Sequence, residues 1–384
     1  MVSNDIAVGQ CLRGTRCYTE IDLSQTERNF LAYKNALPQG FEIIAVVKAD
    51  AYGHGDVAVA DMLSHLGVRF FAVATLEEGI RLRKNGINGE ILILGYTSPE
   101  YAERIYAYGL TQALVDEFYA KELASATDRR LKAQYAIDTG MRRIGLDSSR
   151  PDCCAVEIRK AAGRFDLNGL FTHLSAADGA EERDEIHTRE QIERFSAIAH
   201  MVEELRLPFV HCLNTAGGLR YNELPRGIGK YVRLGISLYG LAPSESTVIP
   251  EGIAPALSWY ATVASVRAVR KGEAVGYGFG YVSDTNRLIA TVTVGYADGY
   301  SRAASNRACV LINGKRAPLL GRVCMDQIMV DISGIDHVRA GDRAVLIGRS
   351  GDESITADEL GKMLGTIGYE VVCGISSRVE RRYI

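Results

Sequence analysis

The sequence predicts an α/β protein, a (β/α)8 TIM-type barrel followed by a second, mainly β C-terminal domain. Three observations carry that prediction. Eight short apolar runs fall in the first two thirds of the 384 residues. Stretches with helical hydrophobic period separate most of them. After Gly240 the pattern gives way to β-rich segments with turn punctuation. Strands that alternate with helices pair in parallel, and eight such units point to a closed barrel rather than an open sheet.

The apolar runs are 43–47, 70–73, 91–94, 112–115, 133–137, 167–171, 209–213 and 231–234. The clearest helical stretches are three. One covers 56–66, with Asp56 in N-cap position; one covers 76–84, closed by Asn85-Gly86; one covers 181–205, closed before Pro208. The Ser- and Pro-bearing stretch 242–255 reads as a linker. Beyond it, strands are expected at 259–269, 288–294, 308–312, 328–332 and 344–347. Lys271-Gly272, Asn313-Gly314 and Ala340-Gly341-Asp342 serve as turns. One helix, 357–364, follows Thr356 as its cap. The expected division is a segment 1–18 packing with the C-terminal domain, a barrel over 19–249, and a β-rich domain over 250–384.

Composition narrows the function classes. Hydrophobic residues make up 47% and charged residues 24%, so a large core forms without disulfides or a structural metal. With a net charge of -3 and no basic run, the chain is not a nucleic-acid binder. The apolar runs are too short to span a bilayer. Residues 1–12 hold no apolar signal-peptide core, so a cytoplasmic protein is expected. The eight cysteines, Cys153 and Cys154 adjacent among them, match no zinc spacing and read as reduced thiols, and no metal site is expected.

The polar residues at the strand ends carry the chemistry. The first barrel strand runs into Lys48 in AVVKADAYGHG. That lysine either emerges to solvent or is a Schiff-base lysine at the barrel mouth, and spacing alone leaves the first reading slightly ahead. The other strand ends shift the balance. Strand five leads to Asp138 and DTGMRRIG, strand six to Thr172-His173, strand seven to His211 and Asn214-Thr215-Ala216-Gly217-Gly218, and strand eight to Arg233-Leu234-Gly235-Ile236. His211 and His54 read as satisfied core residues. Together, lysine, arginines, histidine and asparagine gather at the C-terminal strand ends, where barrel enzymes build their sites. The two glycine-bearing turns offer N–H groups to a phosphate.

AVVKADAYGHG, DTGMRRIGL, FTHLSAAD, NTAGG, VRLGISLYGL, VGYGFGY, GYADGY and GRVCMDQIMVDI resemble the alanine racemase family, in order and across nearly the whole chain. The resemblance implies a pyridoxal 5'-phosphate enzyme that interconverts L- and D-alanine, supplying D-alanine for peptidoglycan. It also implies a head-to-tail homodimer whose partners complete each other's active sites, with the strand around residues 16–21 packing on the second domain. Lys48 would carry the cofactor. Tyr52, Asn214, Thr215, Gly235 and Ile236 would hold its phosphate. Arg233 would face the pyridine nitrogen, with His173 behind it. Arg143 would meet the substrate carboxylate and the phenolic oxygen. Tyr277 would reach in from the partner as the second acid/base, and Met325 would add backbone contacts. Asp178, Tyr296, Arg302, Arg322, Asp326 and Ile375 would line the entrance. Racemisation takes the α-proton from one face and returns one to the other, so it needs two such groups, Lys48 and Tyr277. Because arginine keeps its proton, Arg233 would leave the ring nitrogen largely unprotonated and favour reprotonation over side reactions.

Three positions depart from the family pattern. Ala136 stands where many members have a lysine that becomes carbamylated and props the arginine equivalent to Arg143, so a bound anion or another side chain would do the propping. Arg142 fills a position that is commonly glycine. Ser377 replaces a tyrosine that touches the phosphate and crowds the substrate, so serine, alone or beside alanine, is the alternative substrate. Two other classes fit less well. A non-catalytic pyridoxal-phosphate protein has a single barrel. A barrel decarboxylase of basic or diamino acids lacks the GYGFGY and CMDQ segments.

Overall fold

A computed structural model describes residues 16–384, so the first fifteen residues of the expected N-terminal segment lie outside the described residues. The described chain divides into two compact units: Leu23–Ala254, and residues 16–22 together with Pro255–Ile384. The divisions fall after Asp22 and Ala254 rather than after 18 and 249. The reason is that strand β1 (Cys17–Ile21) is paired on both edges by strands of the C-terminal half.

The first unit is a parallel barrel. Its strands are β2 (Glu42–Val46), β3 (Phe70–Val73), β4 (Glu90–Ile93), β5 (Thr111–Leu114), β6 (Lys132–Asp138), β8 (Asp166–Phe171), β9 (Phe209–His211) and β10 (Tyr231–Leu234), with the two-residue β7 (Leu146–Asp147) off β6. The order runs β10-β2-β3-β4-β5-β6-β8-β9, and a parallel bridge between Leu213 and Val232 joins its ends. Ile44, Val46, Phe70, Ala72, Leu92, Ala113, Ala136 and Phe171 form one buried cluster. Where two of them share a strand they stand two residues apart, the spacing that puts side chains on one face.

Around the barrel run α1 (Leu23–Ala36), α2 (Asp56–His65), α3 (Leu76–Lys84), α4 (Ala102–Ala107), α5 (Glu117–Ser125), α6 (Pro151–Arg164), α7 (Glu182–Met201) and the short α8 (Thr215–Arg220). Thr75 caps α3 in a full capping box with Glu78. Asp56 is not the cap of α2: Gly55 holds that position, and the buried Asp56 carboxylate instead receives the Arg81 guanidinium, with its Nε at 2.9 Å. A carboxylate buried that deeply takes the cationic partner over a lone N–H.

In the second unit β1 lies between β11 (Leu257–Val269), antiparallel, and β18 (Glu380–Tyr383), parallel. The sheet continues from β11 through β16 (Arg343–Ser350) and β13 (Cys309–Ile312) to β14 (Lys315–Pro318). β12 (Arg287–Val292), β15 (Ile328–Asp331) and β17 (Glu353–Ile355) pair off this path. Helices α9 (Ala357–Leu364) and α10 (Gly368–Cys373) follow, and Thr356 caps α9 by accepting from the Glu359 N–H. Among the described residues no helix is long and apolar enough to cross a membrane.

Candidate active site

Lys48 leaves the barrel two residues after β2 and opens a turn that no sequence propensity announces. Ala49, Asp50, Ala51 and Tyr52 all have positive φ, between 51° and 55°. Each non-glycine residue in that region costs about 1–2 kcal/mol. The turn persists because its polar groups are tied down. The Ala49 N–H donates to Glu78 Oε1 at 2.7 Å, and the Ala51 and Gly53 N–H groups donate to Val47 O and Ala49 O at 2.9 and 3.0 Å. Glu78 Oε2 accepts from the Ala74 N–H at 2.7 Å, so the start of α3 is clamped to the Lys48 turn. Backbone strain held this firmly clusters at ligand clamps and active sites, which makes the Lys48 turn a candidate for one.

The turn brings Tyr52 over Gly235. A Cβ placed on Gly235 would stand 2.9 Å from the Tyr52 hydroxyl and 3.8 Å from Thr215 Oγ1. Two hydroxyls and a bare backbone therefore converge on one spot with no side chain between them. Thr215 Oγ1 accepts from the Gly235 N–H at 3.0 Å, and the Tyr33 hydroxyl fixes the same turn through Thr215 O at 2.6 Å. Asn214 caps α8 by accepting from the Gly217 N–H at 2.8 Å while its amide donates to Leu174 O at 3.1 Å. Its side chain thus shapes the cradle. Buried Ile236 begins the turn after Gly235.

Arg233 is buried at the centre of the barrel mouth. It donates to Thr172 O at 2.7 Å, Cys212 O at 3.0 Å, His211 Nδ1 at 2.6 Å and, more weakly, His173 Nδ1 at 3.4 Å. Every one of these acceptors is uncharged. Burial pulls the guanidinium down to about 10, which leaves it charged at neutral pH. His173 is held down to about 3 by burial and by the positive charges of Arg233, Arg143 and Lys48 around it. The barrel mouth therefore gathers three cations about one neutral imidazole. His211, read from sequence as a satisfied core residue, is satisfied by gripping Arg233.

Ala136 is packed in the barrel core and offers nothing to Arg143. Arg143 is exposed, and among the described residues it makes no ion pair, so no side-chain carboxylate replaces the expected prop. Arg142 has φ +59°, which explains why glycine suits this position. Its guanidinium reaches Asp147 at 3.5 Å.

The second unit presents Tyr277 in a glycine-rich turn, with Tyr277 69% and Phe279 79% exposed. A Cβ on Gly278 would lie 2.9 Å from Arg322 Nη1, so the turn rests on the Arg322 guanidinium. Tyr277, Met325, Asp326 and Cys324 line an open groove of about 750 Å³. The turn bearing Tyr296 is locked to the next segment, with the Tyr296 and Ala297 N–H groups donating to Cys324 O and Met325 O at 3.0 Å each. Below it the fully buried Asp298 receives Arg16 at 2.6 Å and Arg378 at 3.0 Å, while Arg378 also reaches Asp326 at 2.7 Å. The Ser376 N–H donates to Asp298 O, which fixes the segment of buried Ile375 and exposed Ser377. Arg302 is exposed on the same unit, whereas Asp178 belongs to the barrel, its carbonyl held by Ser244 and Ser246. Asp298 and Arg378 escaped the sequence reading.

Residues 21–243 match the alanine racemase N-terminal domain and residues 256–383 the alanine racemase C-terminal domain. An alanine racemase of Halothermothrix orenii is 39% identical over 373 residues, 95% of this chain and 96% of the relative. Alanine racemase 2 of Bacillus subtilis is 38% identical over 377 residues, 96% of this chain and 94% of the relative. The solved alanine racemase of E. faecalis superposes with a TM-score of 0.88 at 33% identity, covering 99% of this chain and 100% of that one. That of Bacillus anthracis with bound L-Ala-P gives 0.88 at 34% identity, covering 96% and 95%. With both domains matched in order along nearly the whole length, the chain belongs to the alanine racemase family.

Proposed function

We propose that this chain is a pyridoxal 5'-phosphate-dependent alanine racemase, interconverting L- and D-alanine in the cytoplasm and supplying the D-enantiomer for peptidoglycan. The observation that carries the reading is the cluster of Lys48, Arg143 and Arg233 around neutral His173, beside a hydroxyl-rich cradle over Gly235. Arg233 has only uncharged partners, and the positive charge it shares with Lys48 and Arg143 suits a ligand that brings a phosphate and a carboxylate to the same mouth. The donor set fits that cofactor: Tyr52 and Thr215 hydroxyls with the turn at Gly235-Ile236 suit a phosphate. Lys48 suits covalent attachment. When bound, the cofactor supplies an electron sink that acidifies the substrate's α-hydrogen.

The residues of the chain then divide the work. Arg143 pairs with the substrate carboxylate and orients the α-carbon. Lys48 moves a proton at one face of that carbon, and Tyr277 of the partner subunit moves one at the other. Arg233, which keeps its own proton, would hold the cofactor's ring, and the weaker electron sink that this leaves would favour return of the substrate proton over side reactions. The exposure of Tyr277, Phe279 and Met325 supports a homodimer in which these groups are covered. The free cysteines among the described residues support a reducing compartment. Small, exposed Ser377 supports serine as a secondary substrate beside alanine.

The test is to incubate the purified protein and pyridoxal phosphate with each L-amino acid and quantify the D-enantiomer. D-alanine should dominate, with serine behind it. No D-alanine would overturn the reading.

A further inference from the structure

Gln134 stands in the middle of β6, in a stretch otherwise buried and largely apolar, and is itself fully buried. An amide there costs stability unless it is used. The sequence makes room for it. β8 places Gly169 directly opposite, and a Cβ on Gly169 would stand 2.9 Å from the Gln134 carboxamide carbon. The amide oxygen lies 2.9 Å from His211 Nε2. The other ring nitrogen, Nδ1, lies 2.6 Å from Arg233 Nη1.

These two contacts fix the proton positions. A guanidinium only donates, so His211 Nδ1 must accept. A neutral imidazole that accepts at Nδ1 carries its proton at Nε2, and that proton points at the Gln134 oxygen. The ring is sealed by Phe171, stacked at 5.6 Å and 9°, and by the edge of Phe70 at 6.0 Å. Burial and the charge of Arg233 keep it neutral. Reversing the amide would set its NH2 against the Nε2 proton, so only one arrangement serves both ring nitrogens, and it holds even though the Gln134 Nε2 is buried there without a partner.

We infer that Gln134 is a positioning residue for the racemase reaction: through the Nε2–H tautomer of His211 it holds the Arg233 guanidinium at one angle in the barrel mouth. The chemical consequence rests on the proposed role of Arg233 toward the cofactor's ring nitrogen. The tautomer does not, because it is a property of the protein alone. Gln134→Met removes the acceptor with little change of volume. The control is Gln112→Met, which removes another buried amide, on β5, whose bonds go to Gly95 O and Ala113 O and not to His211.

The experiment has two readouts. The first is nitrogen-15 NMR of histidine-labelled, cofactor-free protein. The unmutated chain and Gln112→Met should show His211 as a single Nε2–H tautomer with a slowly exchanging proton. Gln134→Met should show a second, Nδ1–H population and faster exchange. An Nδ1–H ring in the unmutated chain, or a Gln134→Met spectrum identical to it, overturns the inference. The second is pyruvate released per racemisation turnover of the loaded enzyme, the yield of abortive transamination. Gln134→Met should raise it several-fold and Gln112→Met should not. An unchanged ratio alongside the altered tautomer overturns the claim that the relay serves the reaction. Failure of the cofactor reading itself shows separately, as no cofactor on Lys48 of the unmutated chain.

Discussion

Burial beside the cation cluster at the barrel mouth makes the protein sensitive to mild acid in a way that one substitution can reduce. His173 titrates near 6.5 when unfolded and is held down to about 3 when folded, by burial and by Arg233, Arg143 and Lys48. Between those values the unfolded chain binds more protons than the folded one, so stability rises with pH and is lost as pH falls through the unfolded value. From about pH 7 to about pH 5 the linkage for this one ring amounts to about 2 kcal/mol. His211 is shifted in the same direction and adds to the loss. His173→Asn removes one titrating ring while leaving an acceptor near the position of Nδ1 for Arg233. The assay is urea unfolding of cofactor-free protein at the two pH values, with the m-value checked for constancy. The variant should lose about 2 kcal/mol less than the parent over that interval. Equal losses would refute the reasoning and show His173 to be open to solvent in the folded chain.

Three further outcomes follow from particular contacts. Asp298→Asn leaves one acceptor where a buried carboxylate held Arg16, Arg378 and the Gly295 N–H, and should lower the calorimetric Tm by roughly 5–10 °C. Gly235→Ala puts a methyl group 2.9 Å from the Tyr52 hydroxyl and should weaken retention of pyridoxal phosphate in equilibrium dialysis about tenfold or more. Ser377→Tyr should lower the serine-to-alanine ratio of kcat/KM by about tenfold, and an unmoved ratio removes Ser377 from the pocket.

The barrel was legible because its strands are buried on both faces and read as apolar runs between helical periods. The run 231–234 and the helices 76–84 and 357–364 coincide with the observed elements. Strands β14 (KRAP) and β18 (ERRY) were not legible, since their residues carry charge and it is pairing with β13 and β1 that makes them strands. The polar strand ends gave the barrel-mouth residues, but the left-handed turn from Ala49 to Tyr52 left no trace in composition. Its support comes from Glu78, about thirty positions away in sequence and adjacent only once the barrel closes. Gln134 did leave a signal, an amide within an apolar run; its use appeared only when β6 was set beside β8 and β9.

The central claim is that Lys48 and Tyr277 serve the same substrate from two chains. Lys48→Ala and Tyr277→Phe proteins are each assayed for conversion of L- to D-alanine, then unfolded together, refolded as a mixture and assayed again. Each alone should be nearly inactive. In a two-fold dimer, half of the mixed assemblies are hybrids and each hybrid has one intact site, so roughly a quarter of the parental activity should return. No recovery in refolded, dimeric mixtures, or full activity in Tyr277→Phe alone, would contradict the account.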